Sequence, residues 1–210
     1  SLSIVKAGTG VATIGGGTGT TTLDYSGSTS VNGGTLNIAS ALTGTTGLSV
    51  AGGAALNLFN GVADNLGALT ALNLGSGTGT ATLGLNLGAS TVASDRLGIG
   101  GAASTANTIQ FDIVALAGFG TSLTYDLITA GSGLNGGTYA LGNRPGGFTY
   151  SLTTSDTLVQ LGLTAIAGGD LYWRGDLSGS WSQISGANSN FSTDLGGTLD
   201  PGASPGAGNT

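Results

Sequence analysis

The dominant pattern along the chain is short alternation of aliphatic and polar residues, interrupted every few positions by glycine. Leu36-Asn37-Ile38, Leu56-Asn57-Leu58, Leu72-Asn73-Leu74 and Leu85-Asn86-Leu87 each place one asparagine between two aliphatic residues. In a strand, such a triplet sends both aliphatic side chains to one face and the asparagine to the other. The same reading predicts strands over 108–116, 123–130, 148–152 and 158–163. Residues 62–74 have some helical spacing, in Leu66 and Leu69, but Gly67 interrupts it. Asn32-Gly33, Asn60-Gly61 and Asn135-Gly136 are turn signals.

The alternation repeats. Val31-Asn32-Gly33-Gly34-Thr35-Leu36-Asn37-Ile38 returns loosely as Val50-Ala51-Gly52-Gly53-Ala54-Ala55-Leu56-Asn57-Leu58. Thr18-Gly19-Thr20-Thr21-Thr22-Leu23 has a counterpart in Thr78-Gly79-Thr80-Ala81-Thr82-Leu83. The offsets between successive aliphatic-Asn-aliphatic triplets are 20, 16 and 13 residues, so the period drifts. One strand plus one glycine turn per repeat predicts a right-handed parallel β-helix, or β-solenoid, with a continuous aliphatic column inside. The asparagines would then stack as a ladder on the opposite face. About eight or nine rungs, ~4.8 Å apart, would make a rod on the order of 40 Å long. The alternative is an antiparallel β-sandwich of hairpins, built from the same strand signals.

Composition narrows the chemistry. The 210 residues include 43 glycines and no His, Cys or Met; all ten acids are Asp, and the net charge is −6. Without His or Cys there is no ordinary zinc site, no thiol nucleophile and no Ser-His-Asp triad. Four bases (Lys6, Arg96, Arg144 and Arg174) make no nucleic-acid footprint. The helix formers Glu and Met are absent and Gln occurs three times, with Gly, Thr and Ser in their place, whereas the 39% of hydrophobic residues suffices for a core. No apolar run is long enough for a membrane span. With neither an initiating Met nor a charged-then-apolar leader, the chain is expected to be a processed product or a segment of something longer. A charge-poor Gly/Thr/Ser composition leans toward a secreted or cell-surface location.

Ile4-Val5-Lys6-Ala7-Gly8-Thr9-Gly10 is followed by Tyr25-Ser26-Gly27-Ser28-Thr29-Ser30-Val31-Asn32-Gly33-Gly34-Thr35-Leu36. This stretch resembles the autotransporter-associated β-strand repeat, which runs from K-x-G-x-G through Y-x-G-x-T-x-V to N-x-G-T-L. Later segments resemble the region beyond such repeats in long bacterial surface proteins. They are Ser94-Asp95-Arg96-Leu97, residues 123–128 and 157–161, and the closing Leu171-Tyr172-Trp173-x-Gly175 with Trp181 and Asn190-Phe191. Phe191 departs from the usual Asn-Trp. The resemblance implies a parallel β-helix in an exported passenger region, with no catalytic residues to carry over.

The chain divides into a solenoid of degenerate repeats, 1–167, and an aromatic-containing C-terminal segment with a Pro/Gly tail, 168–210. Three motifs compete with plainer readings. Gly131-Ser132-Gly133-Leu134-Asn135-Gly136 matches a dinucleotide fingerprint, but residues 137–147 read as loop, not the helix that would hold a pyrophosphate. Arg174-Gly175-Asp176 offers a cation and a carboxylate across a glycine, or simply a solvated turn. Trp173 and Trp181 could stack on sugar rings or cap the end of the solenoid. Tyr172, Trp173, Arg174, Asp176 and Trp181 are therefore the candidate contact surface. The acids are scattered singly, so paired-carboxylate chemistry, as in a polysaccharide-degrading β-helix, ranks last.

The sequence thus leads to a non-enzymatic structural protein without cofactor or metal, assembling end to end or side by side as a stalk, fibre or sheath. The expected partner is another copy of the chain. The second reading is an adhesin that binds a glycan or host surface through residues near 170–191.

Overall fold

A computed structural model describes residues 1–16, 22–165, 172–174, 184–185 and 188–192. Its strands are β1 (Ile4–Lys6), β2 (Val11–Ile14), β3 (Ser28–Val31), β4 (Gly34–Ile38), β5 (Gly47–Ala51), β6 (Ala54–Asn57), β7 (Asn65–Leu69) and β8 (Ala71–Ser76). They continue as β9 (Ala81–Leu87), β10 (Arg96–Ala102), β11 (Ser104–Thr105), β12 (Thr108–Ala115), β13 (Thr124–Ser132), β14 (Thr138–Leu141), β15 (Phe148–Thr154) and β16 (Leu158–Ala165). Sheet A runs β1-β3-β5-β8-β11 and sheet B runs β2-β4-β6-β9-β12-β14. Sheet C runs β7-β10-β13-β16-β15. All pairings in sheets A and B, and those among β7, β10 and β13, are parallel. The chain is a parallel β-solenoid of about five turns, not a sandwich.

Register builds the core. Ala12, Leu36, Leu56, Leu83, Phe111 and Leu141 stand one above another through sheet B. Leu66, Leu97, Ile128 and Val159 do the same through sheet C, with Leu23 bridged to Leu42 on that side of the earlier coils. Each fully buried Leu in such a column contributes about 1.5–3 kcal/mol, and only stacking coils can bury them.

The drifting period now has a cause. In the first coils the third side is the single Leu23–Leu42 bridge, and Thr29 lies under Leu48, 19 positions on. From β7 onward that side is a full strand, and Leu97 lies under Ile128, 31 positions on. Longer coils make fewer rungs, so the expected eight or nine become about five. The helical spacing at 62–74 is also explained. Leu66 and Leu69 both point inward because the register slips between them, in a β-bulge opposite Leu97 and Ile99.

The asparagine ladder is shorter than the repeats suggested. Asn57 Nδ2 donates to Asn37 Oδ1 at 2.9 Å, and Asn37 Nδ2 reaches Thr13 Oγ1 at 3.4 Å. It stops there because Leu56 pairs with Leu83, so Gly84, not Asn86, follows Asn57. Leu72-Asn73-Leu74 lies on sheet A, beside Leu48-Ser49-Val50.

The two ends differ. At the C-terminal end β16 pairs antiparallel with β13, and β15 antiparallel with β16, so a hairpin finishes sheet C. The fingerprint-like loop at 131–136 is a corner with one 3-10 turn, Leu134–Gly136, and Asp156 Oδ1 accepts from Gly133 N at 2.9 Å. Aromatic rings replace leucine there: Phe119 stacks on Tyr125 at 5.7 Å, Phe148 meets Phe119 edge-on at 5.6 Å, and Phe111 stacks on Tyr139 at 6.1 Å. Arg144 lies over the Tyr150 ring at 5.2 Å. Among the described residues, β1 and β2 are the edge strands of sheets A and B at the N-terminal end, and β11 and β14 are their edge strands at the other.

Candidate contact surface and a buried acidic corner

Of the five candidate contact residues, Tyr172 and Trp173 form β17 (Tyr172–Trp173), paired antiparallel with the last strand, Phe191–Ser192. Trp173 is 42% exposed and meets the buried Phe191 edge-on at 5.2 Å. Arg174 N donates to Asn190 O at 2.7 Å, which continues the pairing by one residue. Asp176 and Trp181 lie outside the described residues. Among the described residues, Tyr172, Trp173 and Arg174 thus run together along the Asn190–Ser192 segment, with Trp173 exposed.

A second cluster was not among the sequence candidates. Asp64 and Asp95 occupy equivalent corners of successive coils, immediately before β7 and β10, and Asn65 pairs with Arg96. Both acids are buried. Asp95 Oδ1 accepts from Asp64 N and its Oδ2 from Asn86 N, each at 2.6 Å. Asp64 in turn accepts from Leu42 N at 2.8 Å and from Asn60 Nδ2 at 2.6 Å. Asn86 Nδ2 donates to Leu58 O at 2.5 Å. Each carboxylate thus satisfies a main-chain N–H of the coil before it, at the corner where no strand ladder does so.

Burial raises both acids. Desolvation pushes Asp95 up to about 8, against the backbone N–H groups of Asn86 and Asp64 that favour its ionised form, while the charge of Asp64 adds to the rise. Desolvation also raises Asp64, offset by its bonds from Leu42 and Asn60. A raised carboxyl in a cleft is a common sign of acid catalysis. Here every carboxylate oxygen of the pair is already occupied by a donor. The corner stitches coils together. The sequence did hold a signal for it: Asp64-Asn65-Leu66-Gly67 and Asp95-Arg96-Leu97-Gly98 are one motif at the coil spacing.

The basic residues are also used structurally. Lys6 Nζ donates to Ala7 O, Gly8 O and Gly33 O at 2.8–2.9 Å, joining coil one to coil two. Burial lowers Arg144, whose Nη1 bonds Gly142 O at 2.9 Å. Arg96 Nε bonds Asn65 Oδ1 at 2.8 Å, beside the acidic corner. No group of three metal-ligating side chains comes together among the described residues, and no helix among them is long and apolar enough to cross a membrane. No family model, curated protein or solved structure matches this chain.

Proposed function

We propose that the protein is a non-catalytic structural segment of a bacterial surface protein: a rod that serves as stalk, fibre or sheath outside the cell. The observation that carries this reading is the use made of the chain's polar chemistry. Lys6, Asp64, Asp95 and Asn86 are committed to main-chain groups of their own or neighbouring coils. Such a molecule keeps its shape and presents little to a substrate.

The resemblance to autotransporter-associated repeats supports the same reading, because its residues have mechanical roles here. Lys6 fastens the first corner, and Tyr25 Oη bonds Thr29 Oγ1 within the core. Gly34, at φ 64°, lets coil two pass beneath the carbonyl oxygens of Gly8 and Gly10.

Pulling the protein between its ends in an optical trap tests this function. A rod that carries tension releases its coils stepwise, at forces above those of a helical domain of equal length, and refolds on relaxation. Release at the helical control's force would overturn the reading, as would cleavage of any member of a polysaccharide panel.

The half-exposed Trp173 favours a second reading, an adhesin that uses the 172–174 strand against a sugar face. Glycan-array binding abolished by Trp173→Ala would establish it, and an array without signal would remove it.

A further inference from the structure

The three Asn-Gly pairs of the chain share a sequence but not a chemical setting. An asparagine followed by glycine can lose its amide without a catalyst, when the next backbone nitrogen attacks the side-chain Cγ. Three things restrain that attack: bonds that hold the side-chain amide, a fixed partner for the attacking N–H, and negative charge beside the nitrogen that must shed its proton. Asn60 meets two of them. Its Nδ2 donates to Ser40 O at 3.0 Å and to Asp64 Oδ2 at 2.6 Å, and its Oδ1 accepts from Val62 N and Asn86 Nδ2. The leaving group is tied down next to a carboxylate. Asn135 is exposed, but Gly136 closes the 3-10 turn Leu134–Gly136, whose backbone commits N–H groups to its own i→i+3 bonds.

Asn32 escapes all three. It is exposed on the corner between β3 and β4, and among the described residues neither its side-chain amide nor the Gly33 N–H has a hydrogen-bond partner. The charge fixed at this corner is positive: Lys6 Nζ donates to Gly33 O at 2.9 Å, one residue's backbone from the attacking nitrogen. An ammonium held there favours the amide anion that attack requires, whereas the Asp64 carboxylate opposes it at Asn60. Gly33 brings no side chain to crowd the approach.

We propose that Asn32 is a self-modification site. Gly33 N gives up its proton and bonds to Asn32 Cγ, the bond from Cγ to Nδ2 breaks, and the amide nitrogen leaves as ammonia with that proton. Water then opens the resulting succinimide at either carbonyl, which leaves aspartate or isoaspartate; nothing is oxidised or reduced. The product matters because of where the corner sits. Asn32 N donates to Lys6 O and Thr35 N to Gly10 O, so coil one is joined to coil two on both sides of the modified bond. Isoaspartate lengthens the main chain between those two bonds by one carbon and loosens coil one from coil two. The corner therefore acts as a clock that ages this coil first. This inference is independent of the stalk reading, because it concerns the chain's own chemistry whatever its role.

Incubating the full chain at mildly alkaline pH and mapping its peptides by mass spectrometry tests the proposal. In denaturant, all three pairs should convert at similar rates. In the folded chain Asn32 should still convert, while Asn60 and Asn135 slow by about tenfold or more, as the bonds that must first break imply. Ammonia release should match the Asn32 converted. Asn32→Gln, a longer side chain at an exposed position, should abolish it with circular dichroism unchanged. The aged chain should lose exchange protection at Thr35 before the later coils do. An Asn32 amide that persists in the folded chain, over a time in which denaturant lets it go, would overturn the proposal. So would conversion of Asn60 or Asn135 as fast as Asn32.

Discussion

Asp95 Oδ1 receives the backbone N–H of Asp64, the residue at its own position one coil earlier, at 2.6 Å. The contact ties strand entry in one coil to strand entry in the next, in a part of the corner where neither sheet's ladder reaches. Truncating the side chain in Asp95→Ala leaves the N–H groups of Asp64 and Asn86 buried without acceptors. At about 1–3 kcal/mol each, the loss should total about 2–6 kcal/mol. Urea unfolding of Asp95→Ala measures it, and a change below about 1 kcal/mol would show that water or a shifted loop supplies the acceptors.

The same residue sets an inverted pH dependence. Asp95 is raised from 3.8 to about 8 by burial, so the folded chain holds a proton across that window which the unfolded chain has lost. Stability therefore falls as pH rises from about 4 to 8, by up to about 1.4 kcal/mol per unit from this group, and levels off above 8. Asp64 is raised for the same reason and adds in the same direction. Thermal unfolding from pH 4.5 to 8.5 should show the melting temperature declining, with the slope reduced in Asp95→Asn. A flat profile, or one rising with pH, would refute the assignment.

How far the fold could be read ahead differs along the chain, for physical reasons. Four strands of the second half were legible nearly to the residue, as with 158–163 against β16 (Leu158–Ala165), because aliphatic alternation is imposed by burial on one face. In contrast, β14 (Thr138–Leu141) falls within 137–147, which reads as loop because its residues carry no alternation. The rung count was not legible. It depends on corners such as 58–64 and 88–95, whose length decides whether a coil has two sides or three, and turns carry no periodicity. Asp64 and Asp95 looked like single turn acids because their relationship exists only across a coil. The antiparallel finish at 148–165 was equally hidden, since strand direction leaves no mark on alternation.

Tyr125 predicts a cost at the closed end. Its hydroxyl donates to Gly88 O at 2.8 Å and accepts from Gly120 N at 3.0 Å, while its ring stacks on Phe119. Tyr125→Phe keeps the ring and strands both backbone groups, for an expected loss of about 1–3 kcal/mol. Hydrogen exchange should localise the effect to the amides of 118–125, leaving coils one to three protected. Uniform loss of protection along the rod would mean that it unfolds as one cooperative unit.

Two glycine-to-alanine changes separate backbone crowding from side-chain crowding. At Gly34 the backbone has φ 64°, and an added Cβ would lie 2.2 Å from Gly10 O and 2.6 Å from Gly8 O. Neither carbonyl can yield without moving coil one, and left-handed backbone costs a further 1–2 kcal/mol or so. At Gly84 the nearest atoms are Asn57 Oδ1 and the Phe59 ring, both at 2.5 Å. They look equally forbidding, but each is the end of a side chain, and Phe59 is 40% exposed and free to turn toward solvent. Gly84→Ala should therefore cost about 1 kcal/mol or less, whereas Gly34→Ala should cost about 3 kcal/mol or more, or release coil one from the rest. Urea unfolding with exchange protection at Asn32 and Thr35, whose amides bond Lys6 O and Gly10 O, distinguishes the two outcomes for Gly34→Ala. Equal costs at the two sites would mean that the Asn57–Phe59 side chains are as immovable as the main chain, and that the asparagine ladder is a rigid element of the rod.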